Sequence, residues 1–420
     1  MRGKFFMEPK LTLTDCFIQT PSEAHIAQMK GMPAGGVEDQ CQRLTNMVKT
    51  ITEFQKEHAS LPVIRSNQVK LPKEWHNLFA AINKGNKEKA LQLFKEIPPT
   101  DLVLKALLAV HPQEYLQKII GYSLDAHRIG KTVLNADIVI TPQTFEILIH
   151  DIAATLLNPA KIKFSFGLPT HHAYIKEGSG FCILNKTAVV LRHAELTHPK
   201  PLKYVIVGTD VNRDNGLCSI LMNTASHMDI CHVDIFDSRV YPYQDFAFIS
   251  KELGIKATNV EKQKIQCWRN KHLEYFAVDL SLTIRKSVSV HPALLFALTK
   301  ISEAVATAKK NKQKIVLLLP TGWDSHQEET AYCGKFVEGQ MMGELEAIQS
   351  RFSGGDLSYF YENIFTLYNN NKEHIEGIYW GLEGGYDRPM YEKQIQLLLQ
   401  IITTQLLYQK VDEHSHDMEF

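Results

Sequence analysis

Short, continuous apolar runs separated by helix-length segments are the strongest constraint on how this chain folds. They fall at Ile162-Lys-Phe-Ser-Phe166, Tyr204-Val-Ile-Val207, Ile230-Cys-His-Val-Asp-Ile-Phe236, Lys314-Ile-Val-Leu-Leu-Leu319 and Gly377-Ile-Tyr-Trp380. Strands that are apolar throughout are buried on both faces, which calls for a parallel sheet covered by helices on each side. Helical periodicity supplies the covering: Phe145–Leu157, with Ile147, Ile149, Ile152 and Leu156 on its apolar positions, then Pro292–Lys309 and Met390–Leu407. Thr141 is predicted to cap the first of these, with Pro142 in the first helical position.

Upstream, Lys73–Leu116 reads as short helices, with Trp75, Leu78, Phe79 and Ile82 at three-to-four spacing and Gly and Pro at the joints. Residues 1–70 are polar and interrupted by Pro21, Pro33 and Pro62, with one helical stretch at Glu38–Phe54. The expected organisation is a weakly structured or helical N-terminal extension over 1–70, an α/β domain over 71–410, and a polar, His-rich, frayed tail over 411–420.

Composition narrows the function by exclusion. Lys+Arg and Asp+Glu both number 46, so no overall charge draws the chain to nucleic acid or to a membrane surface. The 7 cysteines are scattered and include no Cys-x-x-Cys pair, which fits a reducing, intracellular compartment better than a disulfide framework or a zinc knuckle. No apolar run approaches the roughly 20 residues that span a bilayer, and Met1–Met7 lacks the apolar stretch of a secretory signal.

Ligands of open α/β sheets bind beyond the carboxyl ends of the strands, so the residues just after each run are the ones to collect. They are His171 and His172; Asp210, Asn212 and Asn215; Thr321, Gly322 and Asp324; and Glu383, Gly384, Gly385 and Tyr386. Each has a plain structural reading: Asp210-Val-Asn-Arg-Asp-Asn-Gly216 is turn-forming, Asp324 can cap a helix, and Gly384-Gly385 can be a tight turn. A calcium loop is ruled out at residue 210, because its twelfth position is Leu221 where a bidentate Glu is required. Together, at four strand ends, the residues share a chemical theme. Two carboxylates and an amide oxygen can hold a divalent metal, two imidazoles can move protons, and a phenol can donate to a developing oxyanion. That theme is metal-assisted amide hydrolysis.

The order and wording of Thr170-His-His-Ala173, Gly178-Ser-Gly-Phe-Cys-Ile-Leu-Asn185, Asp210-Val-Asn212, Gly322-Trp-Asp324 and Leu382-Glu-Gly-Gly-Tyr386 resembles the zinc-dependent histone deacetylase family. Val110–Leu116 and Ala136–Pro142 are similar to that family's approach to its catalytic core, and the resemblance covers roughly residues 100 to 410. It implies a three-layer αβα domain with a mainly parallel sheet, the arginase/deacetylase fold. It also implies Zn2+ on Asp210, Asn212 and Asp324, and a structural monovalent cation. His171 and His172 would be the acid/base pair and Tyr386 would polarise the acetyl carbonyl. The channel for an acetyl-lysine stem would be formed by Gly180, Phe181, Tyr241, Gly384 and Gly385. The implied partner is an acetylated protein tail such as a histone's, with no direct nucleic-acid or membrane contact, and the implied role lies in chromatin regulation.

Three departures from the family's pattern bear on activity. The Asp-x-His of the metal site reads Asp210-Val-Asn212, an amide oxygen better suited to harder ions, so another divalent metal becomes an alternative to zinc. The acid two residues before the first ligand is Gly208, so His171 is expected to be without its carboxylate while Asn215 remains for His172. That expectation makes His172 the stronger base and His171→Ala the milder change. The usual Ser-x-His reads Asp234-Ile-Phe236, placing a new carboxylate behind the metal. The favoured function is a protein lysine deacetylase; the alternatives are an acetylpolyamine or other small-molecule amidohydrolase, and an impaired acetyl-lysine-binding scaffold.

Overall fold

The computed structural model describes residues 15–36, 38–224, 228–261, 264–283, 290–330, 336–337, 340–341 and 350–414. Its centre is a ten-stranded sheet with the order β2-β1-β5-β14-β11-β6-β7-β10-β9-β8. The strands are β1 (Cys16–Thr20), β2 (Val63–Arg65), β5 (Ile162–Ser165), β6 (Leu202–Gly208), β7 (Asp229–Phe236), β8 (Thr258–Glu261), β9 (Ile265–Arg269), β10 (Leu273–Asp279), β11 (Lys314–Thr321) and β14 (Ile375–Leu382). The eight strands from β2 to β10 pair in parallel, and β9 and β8 close one edge antiparallel. Two small hairpins stand apart: β3 (Thr132–Asn135) with β4 (Ile138–Ile140), and β12 (Phe336–Val337) with β13 (Gln340–Met341).

The apolar runs sit where their composition requires. Of β6, β7 and β11, nearly every residue is buried, because helices cover both faces. The covering helices include α7 (Thr144–Leu157), α8 (Lys186–Thr197), α11 (Pro292–Asn311), α12 (Gly354–Asn369) and α13 (Arg388–His414). Pro292 opens α11 and the His291 side chain accepts from Ala293 N–H, the expected chemistry of a helix start. Helix α7 begins later than its sequence suggests: Gln143 is the cap residue, and Thr141 N–H instead donates to Thr144 Oγ1 at 2.8 Å.

The first seventy residues are not an appendage. Strand β1 pairs with β5 inside the main sheet, and β2 extends its edge. Between them, α1 (Glu23–Ala27) and α2 (Gln40–Glu57) pack on the core through Ile26, Leu44, Met47 and Ile51. The Cys-Phe-Ile-Gln-Thr run of β1 escaped the sequence reading because it ends in polar residues. Those residues are buried and satisfied: Gln19 Nε2 donates to Asp151 Oδ1 at 2.6 Å. At the other end, α13 runs through His414, and 415–420 of the expected frayed tail lie outside the described residues. The six described cysteines are free thiols. Among the described residues, no helix is long and apolar enough to cross a membrane.

Candidate active site

Strands β5, β14, β11 and β6 are consecutive neighbours, so their carboxyl ends deliver four loops to one place. His171 and His172 follow β5, Asp210 and Asn212 follow β6, Asp324 lies in a 3-10 turn after β11, and Tyr386 follows β14. A pocket of ≈ 210 Å³ opens there, lined by Asp137, Pro169, His171, His172, Gly180, Phe181, Asn212, Tyr241 and Tyr386. The Phe181 and Tyr386 rings meet edge-on at 6.2 Å, and Tyr241 stands edge-on to His172 at 5.0 Å. Phe181 is held at φ 66, a left-handed conformation costly for a bulky side chain and of the kind that gathers at functional sites.

The His-His strand end is fixed from several sides. Glu383 accepts from Thr170 N–H, from Thr170 Oγ1 at 2.8 Å and from His171 N–H at 3.1 Å. Asn185 Nδ2 donates to the His171 and Ala173 carbonyls, and the Asn185 N–H is received by the buried His111 Nε2 at 2.9 Å. His172 Nδ1 meets Asn215 Oδ1 at 2.6 Å. His171 Nδ1 meets Asp214 Oδ1 at 2.7 Å.

That last contact corrects an expectation. His171 has a carboxylate behind it, supplied by Asp214 rather than by residue 208. The reason is steric: a Cβ at Gly208 would lie 2.3 Å from Asp214 Oδ2, so the missing side chain is the space the Asp214 carboxylate occupies. Its Oδ2 also meets His232 Nε2 at 3.0 Å, while Asp214 N–H donates to Asp234. Asp234 therefore does not reach His171; it steadies Asp214 and accepts from Tyr275 Oη at 2.6 Å. The basis for ranking His172 above His171 falls with this contact.

Asp210 and Asp324 are both 1% exposed. Backbone N–H groups hold one oxygen of each: Asn212 N–H donates to Asp210 Oδ1 at 2.8 Å and Val211 N–H to Asp324 Oδ1 at 3.0 Å. Asp210 Oδ2 accepts from Gly384 N–H at 2.7 Å, whereas Asp324 Oδ2 is buried without a hydrogen-bond partner. A Cβ at Gly384 would fall 1.8 Å from Asp324 Oδ2 and 2.8 Å from Asp210 Oδ2, so only glycine lets the chain pass this carboxylate pair. Gly384 and Gly385, expected in the channel wall, thus lie behind the pocket, against the carboxylates and Trp323.

Electrostatics follow from burial and neighbours. Burial, then the Asp210 charge, pushes the Asp324 carboxyl up to about 8. Burial opposes charge on His171, but Asp210, Asp214 and Glu383 outweigh it and bring that imidazole up to about 10. Burial and the adjacent His171 hold His172 well below the usual imidazole range. Two buried carboxylates with an orphaned oxygen between them are a poor arrangement by themselves and a good one around a cation. The residues present fit a divalent metal: Asp210 and Asp324 offer carboxylate oxygens. Asn212 spends its amide nitrogen on the Tyr241 carbonyl at 2.7 Å, leaving Oδ1 to face an ion.

Besides Asp214, three residues escaped the sequence reading. Arg43 of α2 donates from Nε to the Gly385 carbonyl at 2.9 Å and from Nη2 to the Glu383 carbonyl at 2.6 Å, and its guanidinium lies 4.8 Å from the Tyr386 ring centre. Glu329 accepts from Tyr386 N–H at 2.7 Å. Asp137 lines the pocket from the turn between β3 and β4. Only Asp137 carried a signal, lying inside the Ala136–Pro142 stretch.

Comparison with known proteins agrees with this fold. Among solved structures the chain is similar to the crystal structure of an HDA15 HD domain, with TM-score 0.55 and 12% identity over 93% of this chain and 90% of that one, a likeness of fold. A 117-residue stretch is 32% identical to the uncharacterized protein slr0245 of Synechocystis sp., covering 26% of this chain and 37% of that relative's length. The family model of the histone deacetylase domain matches residues 70–402. The chain belongs to the histone deacetylase domain family.

Proposed function

We propose that the protein hydrolyses acetyl-lysine in protein tails to lysine and acetate, using a divalent metal ion on Asp210, Asn212 and Asp324. The observation that carries this reading is the buried carboxylate pair, with one oxygen of Asp324 unpartnered, set behind a pocket that also holds two imidazoles and a tyrosine. When bound, the ion supplies Lewis acidity, polarising the acetyl carbonyl and making an attacking water easier to deprotonate. His172, whose Nδ1 is committed to Asn215, turns its other ring nitrogen to the pocket and takes a proton there. His171, backed by the Asp214 carboxylate, gives a proton to the leaving amine. Tyr386 donates a hydrogen bond to the oxyanion. Phe181 and Tyr241 exclude water from a straight aliphatic stem, as an acetyl-lysine side chain has.

Acetate release from an acetyl-lysine peptide panel tests the reading, with acetylpolyamines as the competing substrate. Turnover of peptides that is lost in Tyr386→Phe and Asp324→Ala supports it. Metal-loaded protein that cleaves acetylpolyamine in preference to every peptide would replace it with the small-molecule reading.

A further inference from the structure

We propose that His25, Glu146 and His150, none of which lines the pocket, form a second divalent-metal site that fastens the N-terminal segment to the body of the fold. His25 comes from α1, and Glu146 and His150 from α7. One donor atom from each lies within 4.8 Å of the other two. Four-residue spacing puts Glu146 and His150 on one face of α7, and the His25 and His150 ring centres are 5.3 Å apart.

A second observation points to a ligand. His25 is 8% exposed and His150 5%, and Nδ1 of each is buried with no hydrogen-bond partner. Buried polar atoms are almost always paired, so two orphaned imidazole nitrogens beside one carboxylate need an explanation. The Ser66 carbonyl stands by the His150 ring, and metal-binding histidines are characteristically oriented by a carbonyl or carboxylate. Glu146 is oriented too, its Oε2 accepting from Asn83 Nδ2 at 3.0 Å.

The rings are in the ligating form. Burial lowers His25 against the pull of Glu146 and Asp151, and burial with the neighbouring His25 and His76 brings His150 down to about 4, so both are neutral near pH 7. Two imidazoles and a carboxylate suit Zn2+ or a similar borderline divalent ion. Bonds of about 2.0–2.1 Å require donors closer than 4.8 Å, and the partly exposed Glu146 has the freedom to close in. The fourth position falls to water or to His76, which is exposed on α3 (Lys73–Asn83) with its ring centre 6.3 Å from that of His150.

The test uses full-length protein carrying Asp324→Asn, which disables the pocket's carboxylate pair. It is stripped with a chelator and titrated with Co2+ and with Zn2+. The expected result is about one ion per chain, visible Co2+ absorption bands and a metal-dependent rise in melting temperature. Adding His25→Gln or His150→Gln abolishes all three. Absence of binding in the Asp324→Asn protein, or the same stoichiometry after either histidine change, overturns the site. Should the histidine variants fail to fold, Glu146→Gln decides: affinity reduced at least tenfold supports the site, and unchanged affinity overturns it.

Discussion

The Asp214 carboxylate meets His171 Nδ1 at 2.7 Å from a position that exists only because residue 208 is glycine. The two residues act as one device, with Gly208 providing the space and Asp214 the charge. Gly208→Ala and Asp214→Asn are each expected to lower kcat on an acetyl-lysine peptide by about 10–100-fold, the usual scale for a partner that orients an active-site histidine. KM should change little. Because both act through one carboxylate, the double variant should be no worse than the poorer single. Losses that multiply in the double variant would contradict the coupling.

His171 and His172 are both expected to be needed. Each has a hydrogen-bonded partner on Nδ1, Asp214 for one and Asn215 for the other. Alanine at either should reduce kcat by about 100-fold or more, the scale of general acid/base catalysis. Steady-state kinetics on both variants checks it; wild-type turnover in His171→Ala would contradict it.

Arg43 ties the N-terminal segment to the loop that carries Tyr386. Removing it leaves the Glu383 and Gly385 carbonyls without their buried donor, and each unsatisfied group costs about 1–3 kcal/mol. Arg43→Ala should therefore lose about 2–6 kcal/mol in a urea titration and lower kcat as Tyr386 loosens. An unchanged midpoint would show that the contact contributes nothing.

Much of the fold was legible because its signals are local. The runs that became β5, β6, β7, β11 and β14 are apolar enough to mark themselves, and Pro292 opens α11 where the sequence places it. What was illegible depends on distant partners. Nothing near Gln19 reveals that Asp151 satisfies it, so β1 reads as polar coil. Arg43 finds carbonyls 340 and 342 residues away. Asp214 sits in a turn-forming run, and its use depends on an empty volume at the end of β6 that composition does not show.

The proposed metal site offers an oxygen donor, Asn212 Oδ1, where an imidazole would favour zinc. Asn212→His is expected to tighten Zn2+ binding by about tenfold or more, since a nitrogen ligand suits that ion better than an amide oxygen. Competition with a chromophoric chelator reads it. Weaker zinc binding in the variant would mean that residue 212 does not face the ion.

Stability should fall in acid partly through Asp237. Burial would raise this carboxyl, but its bonds to Arg239 and Arg351 hold it below the ordinary carboxylate range. A group depressed in the folded state contributes stability above its unfolded pKa of about 3.9, and loses it as pH falls through the folded value. Asp237→Asn leaves the buried Arg351 without this partner and should cost about 3 kcal/mol near pH 7. The difference from the wild type should shrink toward zero below the ordinary carboxylate range. A difference that stays constant from pH 7 down to about 2.5 would contradict the linkage.

The most direct test of the central claim is metal content measured together with acetate release on an acetyl-lysine peptide, for wild type and Tyr386→Phe. The expected result is a divalent ion in the purified protein and turnover that Tyr386→Phe reduces by at least about 100-fold, with the ion retained. Protein that holds its metal yet releases no acetate from any peptide or small acetylated amine would contradict the proposed hydrolysis.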